Sequence, residues 1–443
     1  MKKSRKILLY GLAVVVILAS IGLTIPRVRS SLSFRISQVY SDVKYALFPP
    51  EKSVFTPGQS GVDSVSTAVQ ATLQAMVTPS PTEIPSTPQP TPTITSTPVP
   101  LPSRVFLKGV RPEKQRYNNC GPATLSMYLS YYDWVGSLNP DAEIPQDHIA
   151  PYVKPNPDDK NVMPYELQNY VKDNTEFGAL VRMGGDFKTL KSLLAAGFPV
   201  MVEKGFEGLN FEGWMGHYNL VIGYDDAREI FFTQDSYNLT KVENWQNSTG
   251  FEVPYDTMIS NWRAFNNVFL VVYPQDKTND VLNALGTLMD ETNAYRVAYD
   301  RALQEIKILT DSRDLYFAWF NAGTSLVYLK DYSGAALAYD TAFGLYPQIP
   351  EKSRPWRIVW YQTGPYFAYY YTGRYQDVVS LADATLTTMS PPKAIEETYY
   401  WRALAKLSLG DQNGAVDDLR ESLVWHSGFI PSVNQLTSLG LTP

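Results

Sequence analysis

A proline-rich stretch divides this chain of 443 residues into parts that cannot share one core. Residues 78–103 read TPSPTEIPSTPQPTPTITSTPVPLPS, in which proline alternates with threonine and serine. Proline fixes φ and removes a backbone donor, so this stretch cannot pack as helix or sheet and favours extended polyproline II. At about 3.1 Å per residue it would hold the next part of the chain tens of ångströms away. We therefore predict a stalk within a disordered linker that ends at residue 103.

The N-terminal segment predicts a membrane anchor. Basic residues open the chain, and the uncharged apolar run Ile7–Ile25 is about long enough to cross a bilayer as one helix. The basic residues before this run outweigh those after it, so the positive-inside rule places the N-terminus in the cytoplasm. We expect residues 1–29 to form a cytoplasmic tail and the single transmembrane helix of a bacterial cell-membrane protein. A cleaved signal peptide is the alternative, and it also exports the body of the chain.

Two further segments lie between this anchor and the stalk. Residues 30–49 carry apolar side chains at roughly helical spacing and predict a short juxtamembrane helix. Residues 51–77 are polar and predict a loose segment. We therefore expect residues 30–103 to contain one helix followed by a linker rich in proline, threonine and serine.

Charge and cysteine content exclude several classes of protein. The net charge of -6 is mild and spread out, and no block of lysine and arginine indicates a nucleic-acid partner. Cys120 is the single cysteine of the sequence, so an internal disulfide, a paired-cysteine zinc site and an iron–sulfur cluster are excluded. A lone thiol in an exported chain is a liability unless it is buried or used.

Residues 104–276 predict an α+β domain in which helices precede strands. A helix is expected to begin at Cys120, because Asn118 and Asn119 favour caps and Pro122 suits a first turn. The other predicted elements are helices at 164–174 and 186–196 and strands at 199–202, 217–224, 229–233 and 268–273.

Residues 277–443 predict a second, all-helical domain with internal repeats. Over 316–347, small residues recur where paired helices would cross closely, large ones fill the gaps, and a proline ends the unit. This order resembles the tetratricopeptide (TPR) pattern, whose unit is about 34 residues long. The matching residues are Trp319, Ala322, Gly323, Leu326, Ala335, Tyr339, Ala342 and Pro347. Weaker copies follow, one with its turn at 373–375 and one that includes residues 410–415, and a further degenerate copy is expected around 293–308. We therefore expect TPR-like repeats, which commonly bind a protein partner.

Cys120 and His217 are the candidate catalytic pair. At the start of a helix, the macrodipole and the unpaired amides stabilise a thiolate, the form of sulfur that attacks carbonyl carbon. His217 follows Gly216 and opens an apolar strand, where an imidazole can point into a cleft. The two other histidines compete poorly, because His148 is expected in a polar loop and His426 in the repeats.

Two more residues complete the predicted site. Asp235 ends the strand after that of His217, and two antiparallel neighbours could place its carboxylate beside the imidazole to orient it. Asp225 is a rival for that role. Gln115 could donate its amide to an oxyanion together with the Cys120 backbone amide, and Asn119 could serve as a cap or as a donor.

These residues carry a family resemblance. The sequence QRYNNCGPA at 115–123, followed by GHYNLVIGYD at 216–225 and then Asp235, resembles the bacteriocin-processing peptidases. That papain-like group includes the double-glycine leader peptidases. The resemblance covers residues 105–254, and it departs from the usual pattern in two places: Gln115 stands one position closer to the cysteine, and Ser236 replaces the usual proline.

The resemblance implies a papain-like fold with Cys120 as nucleophile, His217 as base, Asp235 as the residue that orients it and Gln115 as oxyanion donor. Such a site needs neither a metal nor an organic cofactor. We therefore expect a membrane-anchored, extracytoplasmic cysteine peptidase that hydrolyses peptide or protein substrates, with a protein partner or substrate on the repeats. The alternatives are an inactive peptidase-like domain in a surface scaffold and a transglutaminase-like cysteine transferase.

Overall fold

A computed structural model describes the chain at residues 36, 39, 40, 43, 47, 55–58, 100–134, 136, 144–207, 213–389 and 391–443. The predicted membrane helix and most of the predicted stalk lie outside these residues. The described positions from 36 to 47 have helical backbone, within the predicted juxtamembrane helix. None of the described helices is both long and apolar enough to span a bilayer.

A mixed α/β part follows the predicted stalk. Its strands are β1 Arg104–Phe106, β2 Phe177–Arg182, β3 Val200–Glu207, β4 Trp214–Asp225, β5 Ile230–Gln234, β6 Phe251–Pro254 and β7 Phe269–Pro274. Its helices are α1 Cys120–Ser130, α2 Gln146–Val153, α3 Pro164–Asn174, α4 Phe187–Ala195 and α5 Tyr255–Arg263. Three helices precede most of the strands, as expected for an α+β domain.

The strands form one sheet in the order β2-β7-β3-β4-β5-β6, with β1 added beside β4. Every described pair is antiparallel, and β4 is the long central strand, which places His217 opposite Lys204 of β3. A side chain at Gly223 would collide with the carbonyl of Val105, so this glycine allows β1 to approach β4.

Helices cover both faces of the sheet. Leu220 and Ile222 of β4 pack with α1 and α3 on one face, whereas Val221 packs with α4 and α5 on the other. This alternation follows the two-residue period of a strand. It explains why the strand after His217 reads as a continuous apolar run: both of its faces are buried.

The predicted helices at 164–174 and 186–196 are confirmed as α3 and α4, and Asp186 caps α4 by accepting a hydrogen bond from the Thr189 amide. Two expectations are wrong. Asn119 stands at the N-cap of α1, but its side chain donates to Gln146 Oε1 (2.7 Å) and caps nothing. His148 lies in α2 and not in a loop, because the buried Ile149 and Val153 give this segment an apolar face that packs in the core.

A helical part follows β7. Its helices are α6 Thr278–Leu285, α7 Glu291–Ile308, α8 Ser312–Tyr328, α9 Tyr332–Leu345, α10 Ile358–Tyr361, α11 Gly364–Tyr371, α12 Tyr375–Thr387, α13 Glu396–Ser408, α14 Gln412–Trp425 and α15 Ile430–Ser438. Successive helices such as α8 and α9 pack side by side. A side chain at Gly323 would stand 2.8 Å from the Tyr339 ring, so the glycine permits this close crossing. The TPR interpretation of these helices stays a prediction.

The helical part packs directly on the mixed α/β part. Trp214 and Phe265 stack with ring centroids 5.8 Å apart, and Trp214 also contacts Phe317 of α8. Arg263 forms ion pairs with Glu305 (2.9 Å) and Asp314 (3.0 Å). The two parts therefore share a core next to the strand that carries His217.

A short piece of the linker also packs on the helical part. Phe55 is 8% exposed and meets Phe343 edge-on at 5.0 Å, and the Gly58 amide donates to Asp377 Oδ1 (2.9 Å). The expectation of a loose segment at 51–77 is wrong for residues 55–58, because Phe55 gains more from apolar burial than a polar linker residue would.

Candidate active site

Cys120 is the first residue of α1, as the sequence predicts. Its side chain is hydrogen-bonded by the His217 ring and by the backbone of Tyr218. Thr124 Oγ1, one turn further along α1, donates to the Tyr218 carbonyl (3.2 Å) and ties the helix to β4. The helix start and the central strand are therefore held together where the thiol and the imidazole meet.

His217 lies near the start of β4 and joins Cys120 to Asp235. Its Nε2 atom is 2.9 Å from Asp235 Oδ1, and the two side chains are only 4% and 1% exposed. Because Nε2 faces the carboxylate, Nδ1 is the ring nitrogen that remains for the thiol. The three residues form one hydrogen-bonded series, sulfur to imidazole to carboxylate.

Asp235 is fixed by a tight turn after β5. Its Oδ1 accepts hydrogen bonds from the amides of Tyr237 (3.0 Å) and Asn238 (2.9 Å), and its Oδ2 accepts from Asn238 Nδ2 (3.0 Å). Asn219 adds a further donor: in the amide orientation that satisfies its side chain, Nδ2 lies 3.1 Å from Asp235 Oδ2. These donors favour the charged carboxylate.

Asp225 lies elsewhere. It ends β4, where it pairs with Arg104 at 3.4 Å. Along an extended strand, eight residues span about 26 Å, so its carboxylate cannot reach the His217 ring. The geometry therefore brings Asp235, and not its rival, to the imidazole.

The electrostatics of the pair favour separated charges. Burial opposes ionisation of Cys120, but the hydrogen bond and charge of His217, with a smaller effect of Lys154, bring the pKa of the thiol below its usual value. Burial likewise opposes the imidazolium, yet Asp235 and Cys120 raise the pKa of His217 to about 9. Burial would raise the pKa of Asp235, but His217 and Lys204 hold it well below its usual value. Both shifts favour a thiolate–imidazolium pair over the uncharged pair.

Gln115 stands beside the nucleophile in a fixed orientation. Ser236 Oγ donates to Gln115 Oε1 (2.9 Å), and the Gln115 amide donates to the Ser236 carbonyl (3.2 Å). Since Gln115 Oε1 already accepts a hydrogen bond, the side-chain nitrogen Nε2 is the atom that can donate into the cleft. Ser236 thus connects the turn that holds the Asp235 carboxylate to Gln115, the candidate oxyanion donor.

Cys120 and His217 open into a cleft between the two parts of the chain. The mixed α/β part contributes the polar end of the cleft, with Gln115, Cys120, Lys154, Asn161, Glu203, His217 and Tyr237. The helical part contributes the opposite wall, with Arg357, Trp360 and Tyr361. A polar catalytic end and an aromatic wall can bind an extended peptide.

The aromatic wall is anchored on the strand of His217. Arg357 Nη1 donates to the Trp214 carbonyl (2.9 Å), and its guanidinium lies 3.9 Å from the centroid of the Trp356 ring. A side chain on Gly216 would stand 3.2 Å from the Tyr361 ring. The glycine before His217 therefore makes room for Tyr361 of the helical part.

Sequence reasoning missed several of these residues. Asn219 reads as part of an apolar strand, although a polar residue two positions from His217 on the same face is a usable signal. In the sequence, Ser236 is only a departure from a family pattern. In the structure, its hydroxyl donates to Gln115 Oε1. The wall residues carry no local signal, because Arg357 and Trp214 are joined only by tertiary packing.

Comparison with known proteins agrees with the family resemblance of this region. Residues 107–269 match the model of the Peptidase_C39 like family. No curated protein matches the chain. Two solved structures match it: a Bacillus anthracis protein described as a C39-like peptidase, and xylellain, a cysteine protease from Xylella fastidiosa.

Both solved structures are 16% identical to the chain, with TM-scores of 0.28. The first covers 38% of this chain and 96% of its own, and the second covers 39% and 87%. Residues 107–269 are therefore similar to the C39-like peptidases, and a helical region follows them.

Proposed function

We propose that the chain is a cysteine peptidase that hydrolyses peptide bonds with Cys120, His217 and Asp235. The observation that carries this proposal is the continuous hydrogen-bonded series from sulfur to imidazole to carboxylate at the start of a helix and the end of a cleft. A structural cysteine has no need of an imidazole partner whose pKa is raised by a buried carboxylate.

The geometry supports a two-step acyl transfer. The Cys120 thiolate attacks the carbonyl carbon of the scissile bond, and the C–N bond breaks as the His217 imidazolium gives its proton to the leaving amine. A water molecule then enters, His217 takes one of its protons, and hydroxide oxygen attacks the thioester to release the acid and the thiolate. Asp235 holds the ring in one tautomer through both steps.

The oxyanion of each tetrahedral intermediate needs donors near the sulfur. The backbone amide of Cys120 is at the first position of α1 and therefore has no partner within the helix. The side-chain amide of Gln115 is the second donor, oriented by Ser236. Two such donors stabilise the developing charge more strongly in a cleft than in water.

The helical part acts, in this proposal, as the substrate-binding half of the enzyme. Its aromatic wall faces the catalytic end of the cleft, so a peptide must lie between Trp360 and His217. TPR-like repeats would extend this surface to a protein partner or to the substrate beyond the scissile bond. The anchor at residues 1–29 would hold the enzyme on the outer side of the cell membrane, and no nucleic acid takes part.

A cleavage profile tests the proposal. The full chain is incubated with a library of unstructured peptides, and new amino termini are identified by mass spectrometry. We expect cleavage by the wild type, none by Cys120→Ala, and unchanged cleavage by His148→Ala, whose ring lies outside the cleft. Absence of new termini in every sample would support the inactive scaffold. Ammonia release with an added amine, without new termini, would support the transferase.

A further inference from the structure

A second group of ionisable side chains lies at the junction of the two parts of the chain. Asp159 belongs to the loop between α2 and α3, Glu396 opens α13, and His426 follows α14. One carboxylate or ring atom of each residue lies within 4.8 Å of the corresponding atoms of the other two. The sequence predicts no metal site, and no motif links these three distant positions.

The distances between these three side chains suit a shared ligand better than they suit direct hydrogen bonds. His426 Nδ1 is 3.5 Å from Glu396 Oε1 and 3.9 Å from Asp159 Oδ2, both too long for good hydrogen bonds. A cation held tetrahedrally at about 2.1 Å from each ligand requires ligand atoms roughly 3.4 Å apart. The two distances from His426 Nδ1 are close to that requirement, and all three ligand atoms lie within 4.8 Å of one another.

Two buried atoms of the group have no hydrogen-bond partner in the described part of the chain. They are Nδ1 of His426 and Oε2 of Glu396, and the Glu396 side chain is only 3% exposed. Burial of a polar atom without a partner is unfavourable, so these atoms point to a ligand that satisfies both. Both belong to the residues whose atoms already converge.

The junction also has more buried carboxylates than nearby cations. Among the described residues, Glu166 and Glu397 lie close to Asp159 and Glu396, and the positive charge that acts on these carboxylates comes from Lys154 and from His426 when it is protonated. Either protons or a cation must compensate this charge.

The three side chains offer donor types that a transition metal prefers. One imidazole and two carboxylates are a donor set that suits Zn²⁺, whereas Ca²⁺ and Mg²⁺ prefer oxygen ligands alone.

We propose that Asp159, Glu396 and His426 together bind a divalent transition-metal cation, with Zn²⁺ the best match, at the junction of the two parts. The cation joins the loop between α2 and α3 to two helices of the helical part. The same loop carries Asn161, which lines the cleft, and the Lys160 amide, which donates to the Ala394 carbonyl (3.1 Å). The site therefore fixes the position of the helical part and is separate from the catalytic thiol.

Zinc binding to the full chain tests this site. All samples carry Cys120→Ala, because a thiolate is itself a zinc ligand. After removal of metal with a chelator, Zn²⁺ is titrated in competition with a chromophoric chelator. We expect one Zn²⁺ per chain, at least tenfold weaker binding with added His426→Ala or Glu396→Gln, and unchanged binding with added His148→Ala as the matched control.

Thermal unfolding supplies a second readout. Each protein is compared with itself in the presence and absence of Zn²⁺, so a variant that is less stable without metal can still be tested. Zn²⁺ should raise the Tm of the Cys120→Ala protein and of its His148→Ala control, and should not raise the Tm of the Glu396→Gln protein. If the parent protein binds no zinc, or if every variant binds zinc as tightly as the parent, the proposal is overturned. Since every sample lacks the nucleophile, neither result bears on the peptidase function.

Discussion

The Nε2 atom of His217 lies 2.9 Å from Oδ1 of Asp235, although His217 belongs to β4 and Asp235 to the turn after β5, and both side chains are almost fully buried. This contact fixes the ring so that its other nitrogen faces Cys120. It also raises the pKa of His217 to about 9 against the effect of burial, which would lower it. The carboxylate therefore supports both the orientation and the charge of the imidazole.

Replacement of Asp235 by Asn tests this contact. Asn keeps the shape of the side chain but removes the charge that raises the pKa of the imidazole, so kcat/KM for a peptide substrate should fall, by roughly 10²-fold or more. Asp225→Asn is the matched control, since that carboxylate pairs with Arg104 and lies far from the cleft. Equal losses in the two variants would show that the carboxylate beside His217 has no special role.

The pH dependence of kcat/KM follows from the same charges. The Cys120 thiol must be deprotonated, and its pKa lies below the usual value, so the acidic limb of activity should lie at lower pH than the ionisation of an ordinary thiol. His217 must be protonated to assist the leaving amine, so activity should fall as pH rises through about 9. Asp235→Asn should move this alkaline limb to lower pH. An alkaline limb that does not move would contradict the assignment.

Gln115 should contribute to catalysis and not to the reactivity of the thiol. Gln115→Ala removes a donor to the oxyanion, so kcat should fall by about 10²-fold, while alkylation of Cys120 by iodoacetamide should keep its rate. Ser236→Ala removes the hydroxyl that orients this amide and should cause a smaller loss in kcat. If Gln115→Ala slows alkylation as much as hydrolysis, the residue supports the thiolate and not the oxyanion.

Gly216 should be required for the contact between the two parts of the chain. A side chain there would stand 2.8 Å from the Phe265 ring and 3.2 Å from the Tyr361 ring. Gly216→Ala should therefore reduce the free energy of unfolding by about 1–3 kcal/mol and raise KM, since the aromatic wall must move. Gly344→Ala is the control, because no atom lies within 4 Å of its added carbon. Chemical denaturation of both variants measures the difference.

The sequence predicted the elements that have a clear apolar pattern. The strand at 217–224 is a long apolar run that is buried on both faces, and α4 is indicated by a cap at Asp186 and apolar residues at helical spacing. Strands β2 and β6 were missed, because Gly178 and Ala179 weaken the strand signal of the first and the second is only 4 residues long.

The site was predictable in its catalytic residues but not in its surroundings. Cys120, His217 and Asp235 each stand at the end of a helix or strand, where local sequence signals their positions. The partners from the helical part give no such signal: Arg357 meets the Trp214 carbonyl across 143 positions of sequence, and His426 meets Asp159 only after the helices pack. Such contacts depend on tertiary packing, which periodicity does not encode.

The rate at which iodoacetamide alkylates Cys120 tests the central claim most directly. At neutral pH the wild-type thiol should react far faster than free cysteine, because His217 stabilises the thiolate, and His217→Ala should slow the reaction to the rate expected of an ordinary buried thiol. His148→Ala should leave the rate unchanged. A wild-type rate no higher than that of His217→Ala would contradict the thiolate–imidazolium pair and with it the peptidase mechanism.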